Sequence, residues 1–153
     1  MIKMIRPLFA AAVLAALVSG CASGVKYSEM ASSIPTLNAN QGRIYFLRSA
    51  SMFGAAIQPE IRLNDKVVGK SQPGGFFYVD RPAGQYSAAC STETDKTLSF
   101  SLDAGETKYV RTTPSFGLAV GRINPTLETP ALATKELPDL SFTGATAITT
   151  AAK

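Results

Sequence analysis

The chain has 153 residues, 46% apolar and 17% charged, a balance that fits one ordered domain and excludes a disordered polyelectrolyte. Its formal charge of +4 includes Lys3 and Arg6 of the N-terminal segment; without them it is +2, too little for a nucleic-acid-binding protein. His is absent, which removes the commonest general base and the commonest nitrogen ligand for metals.

Residues 1–6 carry the two positive charges, and residues 7–18 follow with no charged side chain. A basic start, a short apolar run and small residues beyond it are the order of a secretory signal. The run is shorter than the roughly 20 residues a spanning helix needs. It ends in Leu17-Val18-Ser19-Gly20-Cys21, which resembles the bacterial lipobox. There an aliphatic side chain stands three places before a cysteine, small residues admit the peptidase, and the thiol accepts a diacylglyceryl group. The expectation is cleavage between Gly20 and Cys21 and lipid attachment at Cys21, with an ordinary cleaved signal or an uncleaved anchor as the alternatives. The resemblance implies two or three acyl chains, enough for stable anchoring where a single chain binds only marginally. Ala22 rather than Asp after the cysteine favours the outer membrane, the inner membrane staying open.

Residues 21–41 read as a flexible lipidated tether, rich in Ser, Ala, Gly and Asn, with a reach on the order of 25 Å. Tyr27, Met30, Ile34 and Leu37 offer the alternative of docking on the domain. From Gly42 the pattern is that of strands. Residues 43–48 are rich in Ile, Tyr and Phe. Ile61 and Leu63 alternate with polar neighbours, and Asn64-Asp65-Lys66 turns the chain into Val67-Val68. Gln72-Pro73-Gly74-Gly75 is a turn before a strand over 76–80, and Pro82-Ala83-Gly84 leads into another over 85–91. Leu98, Phe100 and Leu102 against Thr97, Ser99 and Ser101 give the cleanest alternation. Asp103-Ala104-Gly105-Glu106 turns into a strand over 107–112, and residues 116–122 add one more. Thr129 as N-cap, Pro130 as first residue and Pro138 as stop mark one short helix. The expectation is an all-β, antiparallel sandwich or barrel-like domain over residues 42–140 with one short C-terminal helix. Before it stand a removed signal peptide (1–20) and the tether; after it comes a mobile tail (141–153).

The strand Gly42-Arg43-Ile44-Tyr45-Phe46-Leu47-Arg48 is followed by Ile61-Arg62-Leu63-Asn64-Asp65-Lys66-Val67-Val68-Gly69. Then come Phe76-Phe77-Tyr78-Val79-Asp80-Arg81-Pro82-Ala83-Gly84-Gln85-Tyr86 and Leu102-Asp103-Ala104-Gly105-Glu106-Thr107-Lys108-Tyr109-Val110-Arg111. Over roughly residues 40–137 these motifs resemble the domain of unknown function 2846 family of bacterial envelope lipoproteins, and the pattern of Pro-x-Gly-x-Tyr, strand, Ala-Gly-Glu, strand is similar to PEGA-type modules. The resemblance implies a β fold and an envelope location, and brings no activity.

The candidate chemistry is thin. Cys90 shares strand parity with Tyr86 and Ala88, which favours a buried core thiol over a reactive one. Asp65, Asp80, Asp95, Asp103 and Glu106 are spread over separate turns and strand ends, without metal-site spacing. Residues 72–75 lack the Gly-Lys-Ser/Thr ending of a phosphate loop, and Lys70 and Ser71, adjacent on a strand, point to opposite faces. Phe76 and Phe77 cannot share a face either, so one of them meets a partner or a second layer. Arg43, Arg48, Arg62, Arg81 and Arg111 could read anionic headgroups or cell-wall carboxylates, or serve as solvated strand edges. The expected role is therefore a non-enzymatic accessory or binding module of the envelope, anchored through Cys21, facing the periplasm and meeting an envelope protein or cell-wall partner. No catalytic residue, cofactor, metal or nucleic acid enters it. The alternative is a small-molecule-binding or stress-related envelope lipoprotein.

Overall fold

A computed structural model describes residues 20–144. The expected signal segment, apart from Gly20, and residues 145–153 of the expected tail lie outside them. In chain order the elements are α1 (Tyr27–Met30), a 3₁₀ turn (Ala31–Ser33), β1 (Gln41–Leu47), β2 (Glu60–Leu63), β3 (Lys66–Lys70), β4 (Gly75–Pro82), β5 (Gly84–Ser91), β6 (Asp95–Leu102), β7 (Thr107–Ser115), β8 (Arg122–Glu128), α2 (Pro130–Glu136), a second 3₁₀ turn (Leu137–Asp139) and β9 (Ser141–Phe142). Among the described residues no helix is long and apolar enough to cross a membrane.

The strands form two packed sheets, one of five strands in the order β8-β7-β1-β4-β9 and one of four in the order β3-β2-β5-β6. The sandwich and its short C-terminal helix are as the sequence predicts. Most pairings are antiparallel, but β1 runs parallel to β7 and β4 parallel to β9, so the first sheet is mixed. Parallel neighbours need long connections, and these two pairs join segments distant in sequence.

The two-residue turn at Asn64-Asp65 has both residues at left-handed φ, 47° and 64°, the geometry that matches the twist of a hairpin. The next turn differs in kind: Pro82-Ala83-Gly84 carries the chain from β4 in the first sheet to β5 in the second. The strand read over residues 116–122 lies further on, at Arg122–Glu128, and residues 116–121 are a loop. Pro125 disguises β8 in the sequence. It is tolerated because β8 is the sheet's edge strand.

Strand β1 carries no polar alternation, and the packing shows why. Ile44 and Phe46 face the second sheet, joining Ile61, Phe77, Ala88, Cys90, Leu102 and Val110. Tyr45 and Leu47 face the other way, onto Phe76, Ala133, Leu137 and Leu140. A strand covered on both sides has no reason to alternate. The neighbouring pair divides in the same manner: Phe77 stacks on Phe46 at 4.9 Å, while Phe76 meets Tyr27 edge-on at 5.4 Å. Gly69 lets β3 close down on this core, since a Cβ there would lie 2.5 Å from the Phe77 ring.

The cover on the outer face corrects two expectations. Residues 22–37 are not a free tether; Tyr27 and Met30 take the docking alternative. The Tyr27 amide donates to the Leu140 carbonyl at 2.9 Å, the Arg43 guanidinium donates to the Pro35 carbonyl at 2.7 Å, and Tyr27 and Met30 pack on the outer cluster. The apolar face of β1 and β4 needs a lid, and these side chains supply it. Nor does the domain stop at residue 140. Ser141 and Phe142 extend the first sheet beside β4, and the Phe142 amide donates to the Val25 carbonyl at 2.8 Å. The helix itself follows the sequence reading: the Thr129 side chain accepts from the Leu132 amide, Pro130 opens α2, and Pro138 sits in the 3₁₀ turn that ends it.

Candidate functional site

Because β1 and β7 are parallel while β4 and β8 oppose their neighbours, the loops 48–59, 71–74 and 116–121 gather at one end of the first sheet. The β5–β6 turn joins them there, with Glu93 against the 116–121 loop. Cys21 belongs to the same end. The Ala22 amide donates to the Pro73 carbonyl at 3.0 Å, and the Gln58 side-chain amide donates to the Gly20 carbonyl at 2.5 Å. Cys21 itself is exposed. Cleavage before Cys21 would remove the Gly20 contact and leave that of Ala22.

Arg48, at the exit of β1, holds this end together from inside. It is 2% exposed, and no carboxylate pairs with it among the described residues. Its guanidinium donates to the carbonyls of Gly54 at 2.6 Å, Ile57 at 2.6 Å and Ser71 at 3.0 Å. Burial lowers its pKa. A planar, rigid fork of donors ties three backbone carbonyls from two loops through its two terminal nitrogens, where a lysine would have to bring all three to one nitrogen. Ser71 is bonded in turn to the Thr112 hydroxyl at 2.8 Å. Cys90 is fully buried nearby, and burial pushes its thiol up to about 12, away from the thiolate range.

Above this buried network the loops turn apolar side chains outward. Met52 is 86% exposed, Phe116 85%, Leu118 95% and Val120 66%. Phe53, also exposed, packs on Phe116 with ring centroids 4.9 Å apart. The 116–121 loop is nonetheless well held. Glu93 accepts from the amides of Leu118 and Ala119 at 2.9 Å and of Val120 at 3.3 Å, and from Arg122 Nε at 2.9 Å. The Ala119 amide first, then those of Leu118 and Val120 and the Arg122 charge, hold the Glu93 carboxyl down to about 2. Gly121 adopts a left-handed φ of 97°, and a Cβ there would lie 2.7 Å from Ile57 Cδ1, so glycine lets the two loops meet.

The remaining sequence candidates are dispersed. Arg43 pairs bidentately with Asp80 at 2.7 and 2.8 Å and lies over the Tyr78 ring; its pKa is raised, chiefly by Asp80. Arg111 is held between Glu128 and Glu136, both at 2.7 Å. Arg81 donates to the Asp80 carbonyl, and Arg62 makes a loose exposed pair with Glu60 at 3.5 Å. Arg43 and Arg111 are thus engaged within the chain, and the five guanidinium groups do not converge. Asp65, Asp95 and Asp103 stay apart in turns or at a strand end. Lys70 is exposed while Ser71 is buried, as their adjacency predicts. Among the described residues, open grooves of about 210 to 250 Å³ fall short of the roughly 300 Å³ at which ligand pockets begin. The apolar loops are the feature the sequence reading missed. Its one signal was compositional, since residues 49–57 and 115–121 contain no charged side chain.

The chain belongs to the family described as protein of unknown function (DUF2846), whose model matches residues 38–123. It is also 28% identical over 128 residues to a protein of Haemophilus influenzae described as uncharacterized, a match covering 78% of this chain and 76% of that one. No solved structure matches.

Proposed function

We propose that this protein is a bacterial envelope lipoprotein, anchored by lipid on Cys21, whose β domain is a non-enzymatic accessory or binding module facing the periplasm. The observation that carries the reading is the run Leu17-Val18-Ser19-Gly20-Cys21 behind a basic, then apolar, segment, with Cys21 exposed at the margin of the folded domain. A thiol so placed is open to an acylating enzyme without unfolding anything. Outer-membrane attachment is favoured by Ala22. The non-enzymatic reading is supported by the chain's lack of His and by the engagement of Ser71 with Thr112 and Arg48, which ties up the hydroxyl of the Lys70-Ser71 pair.

The test is growth of cells expressing the tagged full chain with a clickable palmitate analogue, beside a Cys21→Ala form. The native chain is expected to take up label, float with membranes and carry a mature N-terminus at Cys21, and Cys21→Ala to lose all three. Label that persists in Cys21→Ala, or is missing from the native chain, refutes the anchor. Cross-linking in the same cells addresses the module: a specific envelope protein or cell-wall fragment supports it, and background alone removes the adaptor role.

A further inference from the structure

The end of the sandwich that carries Cys21 differs from the rest of the surface. Met52, Phe53, Phe116, Leu118 and Val120 are all exposed there, on two loops that touch through Phe53 and Phe116. Singly exposed apolar side chains are ordinary, but five large ones grouped at one end mark a contact surface. Residues 49–57 and 115–121 contain no charged side chain to oppose transfer out of water. The carboxylate beside them, Glu93, is turned inward onto the loop's own amides.

We propose that this end is a membrane-contacting surface, its two apolar loops entering the headgroup–acyl boundary of the same leaflet that holds the Cys21 lipid. The proposal rests on lipidation of Cys21. Three observations favour a bilayer as the occupant. Residues 22–33 are docked through Ala22 and Tyr27, so a lipid on Cys21 emerges beside the loops and draws them to the surface. A backbone entering an apolar medium must bring its hydrogen bonds with it, and Glu93 satisfies the amides of Leu118, Ala119 and Val120 from behind. The opposite end, with Asn64-Asp65-Lys66 and Asp103 to Glu106 at its turns, is polar, while the exposed charges at the Cys21 end, Glu60, Lys70 and Asp95, stand on the second sheet and leave the two loops themselves uncharged. Shallow entry of a few apolar side chains adds to an acyl anchor and sets the domain's orientation on the bilayer.

The chain contains no Trp, so a single Trp reports cleanly. Lipidated full-length Leu118→Trp and Val67→Trp proteins would be purified and reconstituted into phosphatidylethanolamine/phosphatidylglycerol vesicles. Val67 is exposed on β3, away from the Cys21 end. Flotation is scored first. Protein that fails to float because Cys21 carries no lipid refutes the anchor, and the proposal with it. For protein that floats, the expected result is a blue-shifted Leu118→Trp emission, quenched by brominated acyl chains and protected from aqueous acrylamide, while Val67→Trp shows none of these. Floating protein whose Leu118→Trp stays as open to acrylamide as Val67→Trp overturns the proposal while leaving the anchor intact. Protection from acrylamide without bromine quenching overturns it too, in favour of a second copy covering the loops.

Discussion

The two faces of the first sheet bury similar side chains under different covers. On the inner face Ile44, Phe46, Phe77 and Val110 meet the second sheet, strand against strand. On the outer face Tyr45, Leu47 and Phe76 meet two short helical segments flanking the strand core in sequence, around Tyr27 and around Leu137. The inner face is closed by neighbouring strands bonded along their length, the outer by pieces of a few residues held by isolated backbone bonds such as Tyr27 to Leu140. Burial is alike, but cooperativity is not: a short helix contributes little order of its own and depends on the face it covers.

That difference can be broken from either side. Phe46→Ala should have the largest effect, a loss of about 3–5 kcal/mol in denaturant unfolding, because its ring is enclosed between the sheets where relaxation is limited. Leu137→Ala removes an equally buried side chain from the outer cover, and the cost should be nearer about 2–3 kcal/mol, since the segment can settle into the gap. Hydrogen exchange separates the two mechanisms. In the Leu137→Ala protein the amides of α1, α2 and β9 should exchange faster while those of β1 and β5 keep their protection. Equal acceleration throughout would mean that the outer cover unfolds with the sandwich and that the contrast is false.

A smaller effect tests the cap that starts this cover. Thr129→Ala removes the side-chain acceptor for the Leu132 amide, a long bond at 3.4 Å on an exposed turn, and should cost about 0.5–1 kcal/mol in the same unfolding measurement. This helix was legible in advance because Thr129, Pro130 and Pro138 are local signals with local causes. So was the second sheet, where Leu98, Phe100 and Leu102 alternate and Asn64-Asp65 sets a hairpin. The docking of residues 22–37 was legible only as an alternative to a free tether, because Tyr27 and Met30 make no periodic pattern until Phe76 and Leu140 stand opposite them. The loop at 116–121 was mistaken for a strand for a similar reason. Its apolar residues have strand composition, and only Glu93, from the other sheet, bends their amides into a loop. Of the candidate site, Cys21 was visible as a motif; the apolar loops around it depend on the parallel pairing of β1 with β7, which no local pattern announces.

The smallest predicted effect concerns that Glu93 clasp. The folded carboxyl sits at about 2, below the roughly 4.3 of an unfolded glutamate. A group depressed in this direction favours the folded loop fully above the unfolded value and loses its contribution as pH falls toward the folded one. Between about pH 4.3 and 2 the amides of Leu118, Ala119 and Val120 should therefore lose exchange protection, after correction for the intrinsic rate, before the sheets do. Glu93→Gln keeps one acceptor oxygen but no charge, and should show the loosened loop already at pH 7, with no further change on acidification. Protection of these amides that is flat with pH in the native chain, or unaltered in Glu93→Gln, would mean the loop is held by its contacts with Ile57 and Phe53. It would then be as independent of charge as the strand-on-strand packing of the inner face.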